Sequence, residues 1–534
     1  MHSYSRGHDT PLIDQPIYDV FRQTAGRYPD RDALIVRHQN ARLSYADLAA
    51  AVERTARGLA GLGLQPRDRI GVWSTNCAEW VMLQLAAARS GLVLINVNPA
   101  YRAYELRYVL EKSSMKALFL WERDHRTDYR AILADTNAAP PHTIYLGGDS
   151  WTHMFLNGVD PVAVEPSPHD VANIQYTSGT TGSPKGVLLT HRNLINNGRV
   201  IADGMHLTPH DVICCPVPLY HCFGCVIGSM AAFVSGAALL LPNATFDPLA
   251  TLQSVQEFHA TAIYGVPTMF IAQLEHPAFP TIDFSSLRTG VMAGAPCPVK
   301  IMQRVIDEMH CPEMTIIYGQ TESSPAITMS KLHDTLEHRV STVGLACANT
   351  EVKIINRESG LTVEVGEPGE LCTRGYLVMQ GYDGDPDATG ATIDADGWLH
   401  TGDLAVMRPD EYFHITGRAH DVIIRGGENI YPREVEEFLL THPAVADAQV
   451  FGLPDFKLGE IIAAWVRLRP SNAATAEEIR DFCRDKIAHF KIPKVIRIVD
   501  DFPMTVTGKT QKYKMRAFEI DDLKLSAAAS VQTA

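Results

Sequence analysis

The sequence predicts an α/β protein with a large N-terminal domain of layered sheets and a small α+β C-terminal domain. Three observations carry this reading. Short apolar runs alternate with helical patterns through the first third of the chain, similar alternation returns from Thr251 to Ile317, and the pattern changes after Gly417-Arg418. A length of 534 residues exceeds what a single hydrophobic core usually supports. Domains are expected over residues 1–418 and 419–534.

Ser44-Tyr-Ala-Asp47 has the form of a capping box and opens a helix through Leu62. Strand Arg69–Trp73, helix Cys77–Ser90, strand Leu92–Asn96, helix Tyr104–Lys112 and strand Ala117–Trp121 follow. This spacing implies right-handed crossovers and a sheet covered on both faces. The stretch Cys225–Leu241 carries no charge and approaches the length of a membrane span. Gly228, Ser229, Ser235 and Gly236 interrupt it and no basic residues flank it. It reads as a buried helix that stops at Gly236, followed by a buried strand, Ala237–Leu241. In the last portion, Pro432 starts a helix through Leu440, and strands follow at Ala444–Leu453 and Ile461–Leu468. Thr475-Ala-Glu-Glu478 caps another helix, and strand Val495–Val499 leads towards a loop containing Lys509.

Composition narrows the function. A hydrophobic content of 46% is that of a globular protein, and a net charge of −14 argues against a nucleic-acid partner, which wants a basic face. Among the ten cysteines, Cys222-x-x-Cys225 has a metal-like spacing, but it sits in an apolar stretch with no second pair. Reduced core thiols and a reducing compartment are expected. The N-terminus has no hydrophobic signal core and the C-terminus has no peroxisomal or retention tripeptide, so a cytoplasmic location is expected.

The chemistry concentrates in one run, Tyr176-Thr-Ser-Gly-Thr-Thr-Gly-Ser-Pro-Lys185-Gly186, between the apolar strands Val171–Gln175 and Val187–Leu189. Glycines turn backbone N–H groups inward, and hydroxyls and an ammonium add donors, a combination that wraps a polyphosphate. It is not the P-loop pattern, because Lys185 is followed by Gly186 and lies only three residues past Gly182. Downstream come Tyr318-Gly-Gln-Thr-Glu322, Gly397-Trp-Leu-His-Thr-Gly402-Asp403, Gly417-Arg418-Ala-His-Asp421 and Pro503-Met-Thr-Val-Thr-Gly508-Lys509.

Five motifs in this order resemble the adenylate-forming superfamily of acyl-CoA synthetases, luciferases and peptide-synthetase adenylation domains. The resemblance runs from about Tyr18 to Arg516. It implies ATP, Mg2+ and coenzyme A as cofactor and co-substrates, and a small mobile C-terminal domain. Thr177, Ser178, Gly179, Thr180, Thr181, Gly182 and Lys185 would hold the phosphates, and Thr177 and Glu322 would hold magnesium. Tyr318 would stack on adenine opposite Gly294, Ala295 and Pro296, with Gly319 and Thr321 completing the nucleotide site. Asp403 would accept the ribose hydroxyls and Arg418 would reach the ribose and phosphate side. His221 resembles the histidine at the acyl-pocket mouth, with Phe223, Gly224, Tyr264, Met269 and Ser323 lining the pocket. Lys509 is the catalytic lysine by position; Lys512 and Lys514 read as solvated charges. Gly426, Gly427 and Glu428 resemble the loop that lines the pantetheine tunnel. The hinge falls at His420, where the family commonly has Lys or Asp.

Within the superfamily, Arg425-Gly-Gly-Glu-Asn-Ile-Tyr-Pro432 and His489-Phe-Lys-Ile-Pro-Lys494 resemble fatty-acid and medium-chain CoA ligases. The expected activity is an ATP-dependent acid–CoA ligase acting on a medium-chain acid. The alternatives are an aryl- or branched-acid ligase, a stand-alone adenylation enzyme loading a carrier protein in trans, and a luciferase-like oxygenase. A non-catalytic nucleotide sensor is the reading from another class, and retention of Lys185, Glu322 and Lys509 counts against it. The sequence leaves the oligomeric state open and is compatible with a homodimer.

Overall fold

Ser44 begins the first long helix as its neighbours dictate. Its hydroxyl accepts the Asp47 N–H at 3.1 Å, and the Asp47 carboxylate accepts the Ser44 N–H at 3.2 Å. The helix spans Tyr45–Gly61, and strand Arg69–Trp73, helix Ala78–Arg89, strand Val93–Val97, helix Ala103–Ser113 and strand Ala117–Leu120 follow in the expected alternation. The computed structural model describes residues 2–161, 165–177, 184–295, 297–418, 421–425, 428–455, 458–470, 472–484, 486–487, 489–505 and 510–525.

These strands belong to a seven-stranded sheet. Its order is Gly381–Tyr382, Lys185–Thr190, Val171–Thr177, Val93–Val97, Arg69–Trp73, Ala117–Leu120, His142–Tyr145. The last five are parallel, and the first two add antiparallel at one edge. A nine-stranded sheet is parallel from Glu313–Gly319 through Thr289–Ala293, Ala262–Gly265, Val212–Cys214 and Ala238–Leu241 to Asp32–Val36. Antiparallel strands close both of its edges.

One core lies between the sheets. Ile70, Leu94 and Phe119 from the first and Leu34, Ile213 and Tyr264 from the second are buried with Phe21, Tyr45, Trp80 and Phe233 of the intervening helices. Helix Ala78–Arg89 is buried nearly all round, as a helix between two sheets must be. Leu106, Val109 and Leu133 cover the far face of the seven-stranded sheet. Leu252, Val255, Met302 and Val305 cover that of the nine-stranded one. The layers therefore run helix, sheet, helix, sheet, helix.

The uncharged stretch differs from expectation in one respect. A π-helical turn, Phe223–Gly228, precedes the short α-helix Ser229–Ser235. Glycine permits this turn to sit close to its neighbour: a Cβ on Gly224 would lie 2.3 Å from the Pro218 carbonyl oxygen. The helix stops where Gly236 takes a φ of 82°, and strand Ala238–Leu241 follows. Among the described residues, no helix is long and apolar enough to cross a membrane.

The layered region, Ser5–Val352 with Cys372–His400, is one compact unit; the other comprises Lys353–Leu371 and Thr401 onward, with the first residues of the chain. This second unit has its own sheet. Val445–Asp455 and Gly459–Leu468 form a hairpin joined by Val495–Ile498 and Ile423–Arg425. Helices Pro432–Leu439, Ala476–Cys483 and Lys512–Asp522 accompany it. Val435, Leu439, Val450, Ala464, Val466 and Ile479 form a core there.

Candidate active site

The run from Tyr176 to Gly186 turns between two antiparallel strands. Thr177 stands opposite Lys185 and Tyr176 opposite Gly186, so the two ends of the loop are held one residue pair apart. Ser178, Gly179, Thr180, Thr181 and Gly182 lie outside the described residues. The Lys185 ammonium sits 5.0 Å from the centre of the Tyr382 ring. The Tyr382 hydroxyl in turn donates to Glu322 Oε1 at 3.0 Å. Burial first, then the Glu322 charge and hydrogen bond, push the phenol well above its ordinary range, so it stays a donor.

Glu322 occupies a single 3-10 turn, Thr321–Ser323, just past strand Glu313–Gly319. Its carbonyl accepts the Met379 N–H at 2.9 Å. The next residue after Tyr382 is anchored as well: Asp383 takes two hydrogen bonds from Arg69, at 2.8 and 2.7 Å. Sequence reasoning missed Tyr382, which lies on a two-residue strand with no periodicity to mark it. The donors at Glu322 and Thr177 are carboxylate and hydroxyl oxygens, hard ligands that fit magnesium.

The residues expected to wall the adenine lie at two strand ends. Ala293 pairs with Ile317 in parallel register, which brings Gly294 and Ala295 beside Tyr318 and Gly319. Gly294 takes a φ of 82° as the chain leaves its strand, and Pro296 lies outside the described residues. Gly319 must be glycine, because a Cβ there would fall 1.7 Å from the Pro325 carbonyl oxygen.

His221 is oriented by its own loop. Its Nδ1 accepts the Phe223 N–H at 3.2 Å, which places the neutral ring's proton on Nε2. Cys222 Sγ lies 3.6 Å from that Nδ1 and 3.8 Å from Thr321 Oγ1, joining this loop to the Glu322 turn. Phe223 packs on Tyr264 with ring centres 6.2 Å apart. Tyr264 is fully enclosed, its hydroxyl 3.4 Å from Met205 Sδ, while Met269 is half-buried. The Ser323 hydroxyl faces the carbonyls of Gln320 and Pro325 at 2.9 and 2.7 Å.

A buried polar chain beneath this loop also went unread. Asn96 donates to the Tyr220 carbonyl at 3.0 Å, Asn173 donates to Asn96, and Gln175 donates to Asn173, both at 2.8 Å. Cys225 Sγ accepts from Asn96 and Gln175. All ten cysteines are free thiols, and Cys222 and Cys225 face different partners.

In the second unit, Asp403 and Arg418 are paired residues of one hairpin, with Arg418 Nε 3.0 Å from Asp403 Oδ1. Gly402 takes a φ of 70°, and its N–H donates to Glu370 at 3.0 Å. Lys509, His420, Gly426 and Gly427 lie outside the described residues. Glu428 starts a short strand opposite Arg425. On either side of the segment that contains Lys509, Met504 bridges Thr510, and the Gln511 N–H donates to the Pro503 carbonyl at 2.7 Å. Lys512 is not the solvated charge expected, because its ammonium lies 2.6 Å from Glu436 Oε1, which also accepts the Val450 N–H at 2.9 Å. Glu519, fully buried on the helix that follows, accepts from Trp465 at 2.6 Å and pairs with Arg497.

Residues 21–383 match the AMP-binding enzyme family, and residues 434–509 match the AMP-binding enzyme C-terminal domain. The chain belongs to the AMP-binding enzyme family. This AMP-binding enzyme is 45% identical over 546 residues to a putative acyl-CoA synthetase of Bacillus subtilis, YngI, covering 97% of this chain and 99% of that one. It is 40% identical over 567 residues to the mitochondrial medium-chain acyl-CoA ligase ACSF2 of Mus musculus, covering 98% and 91%. Among solved structures, ATP-bound MatB from Rhodopseudomonas palustris superposes with a TM-score of 0.85 at 28% identity, covering 96% of this chain and all (100%) of that one. A fatty acyl CoA synthetase of Mycobacterium tuberculosis gives a TM-score of 0.76 at 27% identity, covering 95% and 99%.

Proposed function

We propose that this AMP-binding enzyme joins a carboxylic acid to coenzyme A in two steps. The acid's carboxylate attacks the α-phosphorus of ATP, forming an acyl adenylate as the bond to pyrophosphate breaks. The thiol of coenzyme A then attacks the acyl carbon, and AMP leaves. The observation that carries this reading is the Tyr382 ring with Lys185 on its face and Glu322 on its hydroxyl, a phosphate-binding cation beside a metal-binding carboxylate.

Lys185 and the loop residues Ser178, Gly179, Thr180, Thr181 and Gly182 hold the β- and γ-phosphates. Thr177 and Glu322 hold magnesium, which when bound screens the polyphosphate's charge. Gly294, Ala295, Pro296, Tyr318, Gly319 and Thr321 surround the adenine, and Asp403, oriented by Arg418, takes the ribose hydroxyls. The attack needs orientation and charge stabilisation more than a base. His221 supplies the first through its Nε2–H towards the acid's carboxylate. Lys509 supplies the second, at the attacking carboxylate and the α-phosphate. In the thioester step, Gly426, Gly427 and Glu428 line the pantetheine path after the C-terminal domain, residues 419–534, turns about His420.

A medium-chain aliphatic acid fits the apolar surroundings, with Phe223, Gly224, Tyr264, Met269 and Ser323 shaping the acyl site. A relative named as a medium-chain acyl-CoA ligase supports the same substrate class. The test is a series of straight-chain acids assayed by CoA-dependent AMP release. Each added methylene should improve specificity by about 0.8 kcal/mol until the floor is reached, after which activity breaks off. Equal activity on acetate and octanoate would overturn the substrate class.

A further inference from the structure

We propose that Tyr382 is a positioning residue that keeps the phosphate-binding lysine and the metal-binding carboxylate apart and ready for MgATP. The proposal rests on the adenylation reading and assigns a role to a residue outside the five motifs. Lys185 and Glu322 carry opposite charges, and both lie within reach of one phenol. An ammonium and a carboxylate that share one neighbouring side chain attract each other, and a direct pair between them would have to be opened before each could meet its ligand. The ring of Tyr382 gives the ammonium another partner on its face, and the hydroxyl gives Glu322 Oε1 another partner at its edge.

Tyr382 can do this because it is itself held from several sides. It pairs with Val187 in the strand that begins at Lys185. Its N–H donates to Thr389 Oγ1 at 2.9 Å. The neighbouring Asp383 N–H donates to the Gly186 carbonyl at 2.7 Å, and Asp383 is clamped by Arg69. The same segment fixes the Glu322 backbone through Met379. One stretch, Met379 to Asp383, therefore sets both the carboxylate of one sheet's turn and the lysine of the other sheet's loop.

The two functions of the side chain separate by substitution. Tyr382→Phe keeps the ring beneath Lys185 and removes the hydroxyl; Tyr382→Leu removes both. Calorimetric titration with ATP, in EDTA and across a magnesium series with no acid or coenzyme A present, reads the two effects apart. Tyr382→Phe should bind ATP in EDTA within about twofold of the parent but need about tenfold more magnesium to reach full affinity. Tyr382→Leu should lose about a further threefold in EDTA as well. In a Glu322→Gln background, Tyr382→Phe should add nothing to the magnesium requirement. A Tyr382→Phe variant with the parent's magnesium requirement would overturn the proposal, as would equal losses with and without metal. If Tyr382→Leu fails to fold, the Tyr382→Phe and Glu322→Gln pair still decides. A parent enzyme that binds ATP with no dependence on magnesium would instead sink the magnesium assignment on which the proposal stands.

Discussion

Thr177, Lys185 and Tyr382 sit in β-ladders at a sheet edge and Glu322 in the turn just past a ladder strand, whereas among the described residues the segments either side of Lys509 meet through the Met504–Thr510 β-bridge and are flanked by ion pairs. In the first region, position comes from backbone hydrogen bonds and a core packed on both faces. In the second, a β-hairpin and core of its own are supplemented by buried or half-buried charges, Glu436 holding Lys512 and Glu519 holding Arg497 and Trp465. Ladder contacts tolerate little movement. The contrast suits a reaction in which one region keeps the nucleotide and the other presents different groups in turn.

The sharpest way to break this comparison is to remove Lys509. Lys509→Ala should cost about 3–4 kcal/mol in adenylation, as the loss of a preorganised charge does. It should leave conversion of supplied acyl-AMP and coenzyme A near the parent's rate. Equal slowing of both half-reactions would mean that the lysine is structural. Next in size is Glu519→Ala, which leaves the indole N–H of Trp465 without its buried acceptor and Arg497 with its second partner, Asp522. It should destabilise the C-terminal unit by about 3 kcal/mol, seen as faster amide exchange over Lys512–Asp522, with ATP affinity unchanged.

The layered unit has a matching weakness. His191 is 1% exposed, its Nδ1 accepts the Ile17 N–H at 3.3 Å, and burial pushes its pKa down to about 4. The unfolded chain takes up this proton near pH 6.5, the folded chain only near 4. Stability is therefore full above about pH 6.5 and falls by about 3 kcal/mol as the pH drops to about 4. Urea unfolding at several pH values should show this fall, and His191→Gln should flatten it. An unchanged pH slope in that variant would assign the acid sensitivity elsewhere. The smallest effect belongs to Lys512→Met. Loss of its pair with Glu436 should slow adenylation several-fold, or about 1 kcal/mol, and spare the thioester step.

The sequence made local rules legible and left long-range pairings hidden. The Ser44 capping box, the stop at Gly236 and the alternation from Arg69 to Leu120 follow from neighbours in the chain, and each appears where expected. Glu322 and Tyr318 could be placed at a strand end because Thr315-Ile-Ile317 reads as a strand by itself. Lys512 could not be read correctly, because its partner Glu436 is 76 residues away. Tyr382 carried no signal, since its importance arises only where an edge strand of one sheet meets a turn of the other. The Asn96, Asn173 and Gln175 chain was hidden for a related reason: polar residues within an apolar strand pattern look like exceptions until their partners are seen.

The central claim is that the acid is activated on the nucleotide before coenzyme A takes part. Exchange of labelled pyrophosphate into ATP, measured without coenzyme A, tests it most directly. The account predicts exchange that requires both magnesium and a suitable carboxylic acid, and AMP as the nucleotide released once coenzyme A is added. Exchange that proceeds without any acid, or release of ADP in place of AMP, would contradict it.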